Sequence, residues 1–186
     1  MNKEIQVKKL ETTTLASGCF WCTEAVFKIV KGVERVNPGY TGGSTDNPTY
    51  EEVSGGRTGH VEAVQLKFDP SVISFKEVLE IFFATHDPTA MNRQGPDIGT
   101  QYNSVIFYHD ETQKTTAFAI IEELNGEGIW DNPIVTQVVP VKLFYEAEAY
   151  HKDYYALHPE SAYCQQVITP KIAKLQQRYF SKLKPP

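Results

Sequence analysis

Two patterns of apolar and polar residues recur along the chain, and they predict different elements. Regular alternation over Val61–Phe68 predicts a strand, which Asp69-Pro70 ends. Less regular apolar runs predict further strands at residues 10–16, 33–36, 102–108 and 134–143.

Between these runs, apolar residues recur at the spacing of a helix face. One such segment covers residues 20–31, with Gly32 where a helix C-terminal glycine is expected. Ser74 and Glu77 form a capping box that opens the next helix. Two more helices are predicted, one from Asp110 to Asn125-Gly126 and one from Thr169-Pro170 onward.

Residues 37–59 and 86–100 are rich in Gly, Pro, Ser, Thr and Asp, and they predict two long irregular loops. Loops of that length in compact domains are commonly functional. The order of elements begins β-α-β, and neither repeats nor a linker divide the chain. We therefore predict a single domain over residues 1–186. Its fold class is α+β, a two-layer sandwich with a ferredoxin-like (split β-α-β) core.

Composition narrows the possible functions. Of 186 residues, 41% are hydrophobic and 22% are charged, the formal net charge is −5, and no basic block occurs. We expect neither a nucleic-acid partner, which needs a positive surface, nor a membrane, since no apolar run approaches the ~18 residues that cross a bilayer. The amino-terminal residues lack the apolar segment of a secretory signal, so a reducing, cytoplasmic setting is expected for the three cysteines.

Cys19 is the first candidate for chemistry. It follows Gly18 and lies at or just before a predicted helix start. Free N–H groups and the helix dipole lower the pKa of a thiol there, and the thiolate is the nucleophile. A buried, unreactive thiol is the competing interpretation.

Cys22 completes a CxxC pair with Cys19. Such a pair can form a disulfide at a helix start, or Cys22 can be a packed helix thiol. It can also be half of a zinc site, but only Cys164 and five histidines that form no second motif remain as ligands. The alternatives stay open at this point.

Phe20 and Trp21 lie between the two cysteines. Their periodicity favours the core, although two aromatic rings beside a nucleophile also suit the wall of an apolar pocket.

Glu62 is the most informative charge in the chain. Strand alternation places it on the same face as Val64, Leu66 and Phe68. A carboxyl on an apolar face has a raised pKa, because desolvation disfavours the ionised form, and it can then serve as a general acid near neutral pH. The alternative is a solvated Glu at a fraying strand end.

Tyr50, Asp97 and Tyr102 lie in or beside the glycine-rich loops. Each alone is more typical of structure than of function. Together they are the kind of groups that loops supply to a site on a rigid scaffold.

Four segments together resemble the peptide methionine sulfoxide reductase A family: "GCFWCTEAVF", "GHVEAVQLKFDP", "HDPTAMNRQGPDIGTQYNSVIF" and "HKDYYALHPESAYCQQVITPKIAKL". The resemblance covers residues 18–175. It implies an α+β sandwich with a ferredoxin-like core, no metal or organic cofactor, and reduction of the S-epimer of methionine sulfoxide, free or in proteins.

The resemblance also implies roles for residues. Cys19 would attack the sulfoxide sulfur, and Phe20 and Trp21 would hold the substrate methyl group. Glu62 would protonate the sulfoxide oxygen. The remaining groups implied at the site are the hydrogen-bond donors Tyr50 and Tyr102, the supporting Asp97, and the further candidate His151.

The resemblance implies that Cys19 becomes a sulfenic acid, that a second thiol forms a disulfide with it, and that thioredoxin reduces the disulfide. Some relatives resolve with a tail cysteine and others with the second cysteine of GCFWC. We favour Cys164, while a disulfide from Cys19 to Cys22 or a relay through both stays open. A monomer is expected. The alternative functions are a general thiol-disulfide oxidoreductase using Cys19 and Cys22, and a binding module with structural zinc.

Overall fold

The computed structural model describes residues 9–185 of the chain, so the residues where a signal was judged absent lie mostly outside this range. Its strands are β1 (Glu11–Ser17), β2 (Val33–Thr41), β3 (Val61–Phe68), β4 (Arg93–Gln94), β5 (Asp97–Ile98), β6 (Ser104–Tyr108), β7 (Gln137–Pro140) and β8 (Phe144–Glu146). Its helices are α1 (Phe20–Lys28), α2 (Tyr50–Ser54), α3 (Phe75–Ala84), α4 (Glu111–Glu127), α5 (Tyr154–Leu157) and α6 (Thr169–Tyr179).

Within the described residues, six strands form one sheet in the order β7-β6-β1-β3-β2-β8. All neighbouring pairs are antiparallel except β6 and β7, which are parallel. The sheet is thus mixed, and with the packed helices it confirms the predicted α+β class.

Strand β3 lies inside the sheet and is buried on both faces. Its residues Val64, Leu66 and Phe68 belong to the main core, which also contains the buried faces of α1 and α3. Val61 and Ala63 pack in a smaller apolar cluster with residues of β1 and β6. The bounds of β3 are those that alternation predicts.

The helix starts follow their local signals. The Ser74 hydroxyl accepts from the Glu77 N–H and the Glu77 carboxylate accepts from the Ser74 N–H, which confirms the capping box of α3. Helix α1 begins at Phe20 as predicted but ends at Lys28, three residues early. Gly32 has φ +83° and turns the chain into β2.

The prediction of an irregular loop over residues 37–59 is wrong at two places. Strand β2 continues to Thr41, because it pairs along its length with β3, where Tyr40 lies opposite Glu62. A short helix, α2, follows at Tyr50, with Thr49 and Glu52 forming a second capping box.

Other boundaries also differ. Residues 86–100 contain a two-stranded hairpin, β4–β5, within the predicted loop. Strand β6 starts at Ser104 because residues Thr100–Tyr102 form a 3₁₀ turn. The strand predicted at 134–143 is limited to β7. Helix α4 ends at Glu127, and Gly128 follows it with φ +64°, whereas the sequence predicts the end at Asn125-Gly126.

The tail packs back onto α1. Helix α6 begins at Thr169 with Pro170 in its first turn, as predicted. The residues before it, Cys164–Ile168, form a π-helical turn. Cys164 is fully buried in this turn. In the described part of the chain, no helix has the length and apolar character that crossing a membrane requires.

Candidate active site

Gly18 sets the position of Cys19. Its φ of +91° turns β1 into α1, and a Cβ built on it would lie 2.6 Å from the Cγ of Gln94. Only glycine fits this turn without strain. Cys19 is then the N-cap residue of α1, and its carbonyl accepts the Cys22 N–H at 3.1 Å.

Glu62 reaches the same helix start from β3. Its Oε2 accepts the backbone N–H of Phe20 at 3.0 Å, and only 1% of the residue is exposed. The inward orientation agrees with the alternation of β3. The carboxyl therefore sits beside the residue that follows Cys19, bonded to an N–H that has no partner within the helix.

Burial raises the pKa of Glu62 to about 8, and the nearby charges of Asp97 and Cys22 act in the same direction. The hydrogen bond from Phe20 opposes this shift, since it favours the carboxylate. Burial outweighs it, so the carboxyl is mostly un-ionised at neutral pH. This is the state that a general acid requires.

The thiols of Cys19 and Cys22 titrate as a hydrogen-bonded pair. Burial raises the pKa of Cys19 well above its usual range, and the Cys22 thiol adds to this. The hydrogen bond with Cys19 lowers the pKa of Cys22 to about 7. The resting proton is thus on Cys19, whereas the sequence predicts a lowered pKa there; burial outweighs the helix start.

Tyr163 bridges this pair to Asp97, and sequence reasoning missed it. Its hydroxyl lies 3.7 Å from the Cys22 Sγ and donates to Asp97 Oδ2 at 2.7 Å. The one available signal was its position next to Cys164. Asp97 is half-buried in β5, where burial raises its pKa.

The aromatic wall is built around Trp21. Its indole stacks on the Tyr154 ring at 3.7 Å between centroids and 5° between planes. Its Nε1–H donates to His151 Nδ1 at 3.0 Å. The Phe20 ring lies 5.0 Å from the His151 ring, so the imidazole contacts both aromatic residues.

His151 is held as one tautomer. Burial lowers its pKa, so the ring is neutral at pH 7, and its Nδ1 accepts from Trp21. The proton is therefore on Nε2, which points at Glu148 Oε2 at 3.7 Å. Glu148, which sequence reasoning also missed, accepts the Tyr40 hydroxyl at 2.7 Å and the Tyr50 N–H at 2.8 Å.

Tyr50 and Tyr102 come from separate elements that are tied together. Tyr50 opens α2, Tyr102 closes the 3₁₀ turn, and the Gln101 side chain of that turn donates to the Ser54 carbonyl of α2 at 3.1 Å. Burial raises the pKa of both phenols, and the charges of Glu62 and Cys19 raise it further. Both therefore remain hydrogen-bond donors at neutral pH.

Cys164 lies in one apolar cluster with Cys19 and Cys22, completed by Ala25 and Ile168. All three cysteines are free thiols. Among the site residues that the sequence predicts, Glu62 bonds to the Phe20 N–H, and the Phe20 ring lies 6.4 Å from the Tyr50 ring and 5.0 Å from the His151 ring. Among residues 9–185, no three His, Cys, Asp or Glu side chains are arranged to hold a metal ion.

We compared the chain with known protein families and with individual proteins. The family model of peptide methionine sulfoxide reductase matches residues 11–184. A protein of Thermus thermophilus named peptide methionine sulfoxide reductase MsrA is 54% identical over 175 residues, which cover 94% of this chain and 98% of that protein.

Solved structures agree with the sequence match. The reduced form of Mxr1 from Saccharomyces cerevisiae superposes with a TM-score of 0.77 and 36% identity, covering 87% of this chain and 92% of that one. Mxr1 in complex with Trx2 gives a TM-score of 0.54 and 28% identity, covering 83% and 92%.

The raised pKa of Glu62 predicts a pH-dependent cost to stability. A buried carboxyl whose pKa is raised on folding contributes stability below its unfolded pKa, and this is lost as pH rises toward about 8. Glu62→Gln removes that loss. We expect the free energy of unfolding of the variant, relative to wild type, to rise by at least about 1 kcal/mol between pH 5 and 8.

Urea unfolding of the wild type and Glu62→Gln at several pH values measures the difference between their free energies of unfolding. The contributions of other titrating groups are the same in both proteins and cancel in this difference. A difference that stays constant with pH would show that Glu62 titrates at its ordinary value.

Proposed function

The chain belongs to the peptide methionine sulfoxide reductase family, and we propose that it reduces the S-epimer of methionine sulfoxide, free or in proteins. One observation carries the mechanism. A buried, un-ionised Glu62 is hydrogen-bonded to the N–H that directly follows Cys19, so acid and sulfur share one helix start.

The substrate is bound through its two ends. Its methyl group packs on the aromatic wall of Phe20 and Trp21, which offers no polar partner other than groups already bonded. Its oxygen faces Glu62, with Tyr50 and Tyr102 as further donors. All three groups are protonated at pH 7, which suits a sulfoxide oxygen that becomes more basic as it reacts.

Cys19 needs to lose its proton before it attacks. Cys22 is the nearer base, since its pKa of about 7 leaves about half of it ionised at pH 7 and it already shares a hydrogen bond with Cys19. Transfer of one proton between the two sulfur atoms converts Cys19 to the thiolate without a change in net charge.

The thiolate of Cys19 then attacks the sulfoxide sulfur while Glu62 gives its proton to the oxygen. The attack forms a bond between the two sulfur atoms. This bond and the sulfur–oxygen bond of the substrate then break as the oxygen passes to the Cys19 sulfur, so methionine leaves with two electrons more and Cys19 becomes a sulfenic acid. Asp97 supports the site through Tyr163, and His151 through Trp21.

A second thiol condenses with the sulfenic acid, which forms a disulfide and releases water. We propose Cys164 for this step, and its place in the same cluster as Cys19 supports that choice. Cys22 contacts Cys19 directly and is the alternative, or acts before Cys164 in a relay. Thioredoxin then reduces the disulfide, a step that the Mxr1–Trx2 complex supports.

The proposal also covers the core topology, the cellular location and the oligomeric state. We interpret strands β6-β1-β3-β2 as the ferredoxin-like core, since α1 connects β1 to β2 and β3 lies between them. A reducing cytoplasm suits three free thiols. One domain over residues 1–186, acting as a monomer without metal or organic cofactor, stays a prediction.

Cys19→Ser removes the nucleophile, because a serine hydroxyl does not ionise near neutral pH. We expect reduction of a methionine sulfoxide ester to fall by more than about a thousandfold. Cys164→Ser is the control and keeps a single turnover, as methionine release does not need a disulfide. If Cys19→Ser still turns over, or the wild type reduces insulin disulfides but no sulfoxide, the proposed reaction is wrong.

Glu62→Gln keeps the shape and a hydrogen-bond donor but has no transferable proton. We expect sulfenic acid formation in rapid-mixing single turnovers to slow by about a hundredfold or more. Glu146→Gln, an exposed change on β8, is the matched control and keeps the wild-type rate. Equal single-turnover rates for wild type and Glu62→Gln would remove the acid from the mechanism.

The resolving thiol can be read from a disulfide map. After one turnover without reductant, we expect peptide mass analysis to find Cys19 joined to Cys164. In Cys164→Ser, sulfenic acid or a Cys19–Cys22 disulfide should accumulate instead. Detection of a Cys19–Cys22 disulfide alone in the wild type would refute the choice of Cys164.

A further inference from the structure

Glu24 is a buried carboxylate that the proposed mechanism does not use. It lies in α1, three residues after Trp21, and only 1% of it is exposed. Burial raises its pKa to about 7, so keeping a carboxyl here has an electrostatic cost. A group retained at such a cost needs a structural partner or a function.

Its partner is the backbone of the segment that holds Trp21. Both carboxylate oxygens accept the Asp153 N–H, at 3.1 Å and 3.0 Å, and the Tyr154 N–H also interacts with the carboxylate. Asp153 has φ +59°, a left-handed conformation that costs energy for a residue with a side chain. The two bonds stabilise this conformation.

The left-handed conformation of Asp153 sets the positions of the His151 and Tyr154 rings. His151 and Tyr154 lie on either side of the turn at Asp153, one accepting the Trp21 N–H and the other stacking on its ring. Helix α1 carries both Trp21 and, one turn later, Glu24. Glu24 in turn holds the segment that carries His151 and Tyr154, the partners of Trp21.

We propose that Glu24 is a positioning residue for the sulfoxide pocket: it holds the turn at Asp153 so that His151 and Tyr154 fix the Trp21 ring where the substrate methyl group binds. The inference rests on the proposed function of Trp21 and deepens it. Glu24 touches no reacting atom. It acts on substrate binding through the wall and leaves the acid and the nucleophile in place.

The expected kinetic effect is therefore selective. Glu24→Ala should raise the KM for a methionine sulfoxide peptide about tenfold and change kcat less than about twofold, because a misplaced wall weakens ground and transition state alike. Glu24→Gln keeps the shape of the side chain and one acceptor oxygen, and its KM should lie between those of the wild type and Glu24→Ala.

The fluorescence of Trp21 measures how firmly its ring is held in the aromatic wall, and this measurement needs no catalytic turnover. The chain has two tryptophans, so Trp130→Phe, a change outside the site, leaves Trp21 as the only tryptophan, which can be excited selectively over the tyrosines. In that background, Glu24→Ala should raise acrylamide quenching of Trp21 about threefold, because the ring is no longer held between His151 and Tyr154.

Two controls separate this role from general destabilisation. Val78→Ala creates a cavity in the core on α3 and should lower stability without moving KM or quenching. Lys76→Met breaks the exposed ion pair with Glu123, away from the turn at Asp153, and should leave both readouts near wild type.

Equal KM and quenching in wild type and Glu24→Ala, a KM change without a quenching change, or the same KM change in either control would overturn the inference. A wild type that reduces no sulfoxide would overturn the proposed function, while the quenching comparison would still test the role of Glu24.

Discussion

The hydrogen bond from the Phe20 N–H to the Glu62 carboxyl joins the proposed acid to the helix start that carries the proposed nucleophile, Cys19. It uses an N–H that every helix leaves free in its first turn, and it fixes the acid beside the sulfur of Cys19. Because the donor is backbone, the distance between acid and nucleophile depends on the packing of α1 against β3 and not on a flexible side chain.

Three carboxyl groups around this contact behave differently because their surroundings differ. Glu62 is buried with one donor and stays protonated near neutral pH. Glu148 is partly exposed, and its bonds to Tyr40 and the Tyr50 N–H lower its pKa, so it is an ionised acceptor. Glu24 lies between these cases, buried but facing two N–H groups and the charge of Lys28. One residue type thus supplies a proposed acid, an ionised acceptor and a proposed positioning group.

Local signals were enough where the chain dictates its own structure. The alternation of β3, the capping box at Ser74 and the proline at the start of α6 all predicted their elements, and the alternation also predicted the buried side of Glu62.

Long-range contacts decided the rest. The Asn, Pro and Gly of residues 37–39 are poor strand formers, yet β3 and β8 pair with that segment from both sides. Glu24, Glu148 and Tyr163 have no local motif, since the hydrogen-bond partners of each lie more than 60 residues away along the chain. The thiol pKa values likewise depend on burial, which the sequence of one helix start does not contain.

The π-helical turn at Cys164 has a mechanical consequence. Pro170 has no N–H, so one of the backbone bonds that would fasten this turn to α6 cannot form. Turns of this kind are rare and occur frequently at functional sites. Cys164 thus lies in a turn that has one backbone bond fewer to the helix after it than a regular helix would have, whereas α6 itself is anchored in the core by Leu175.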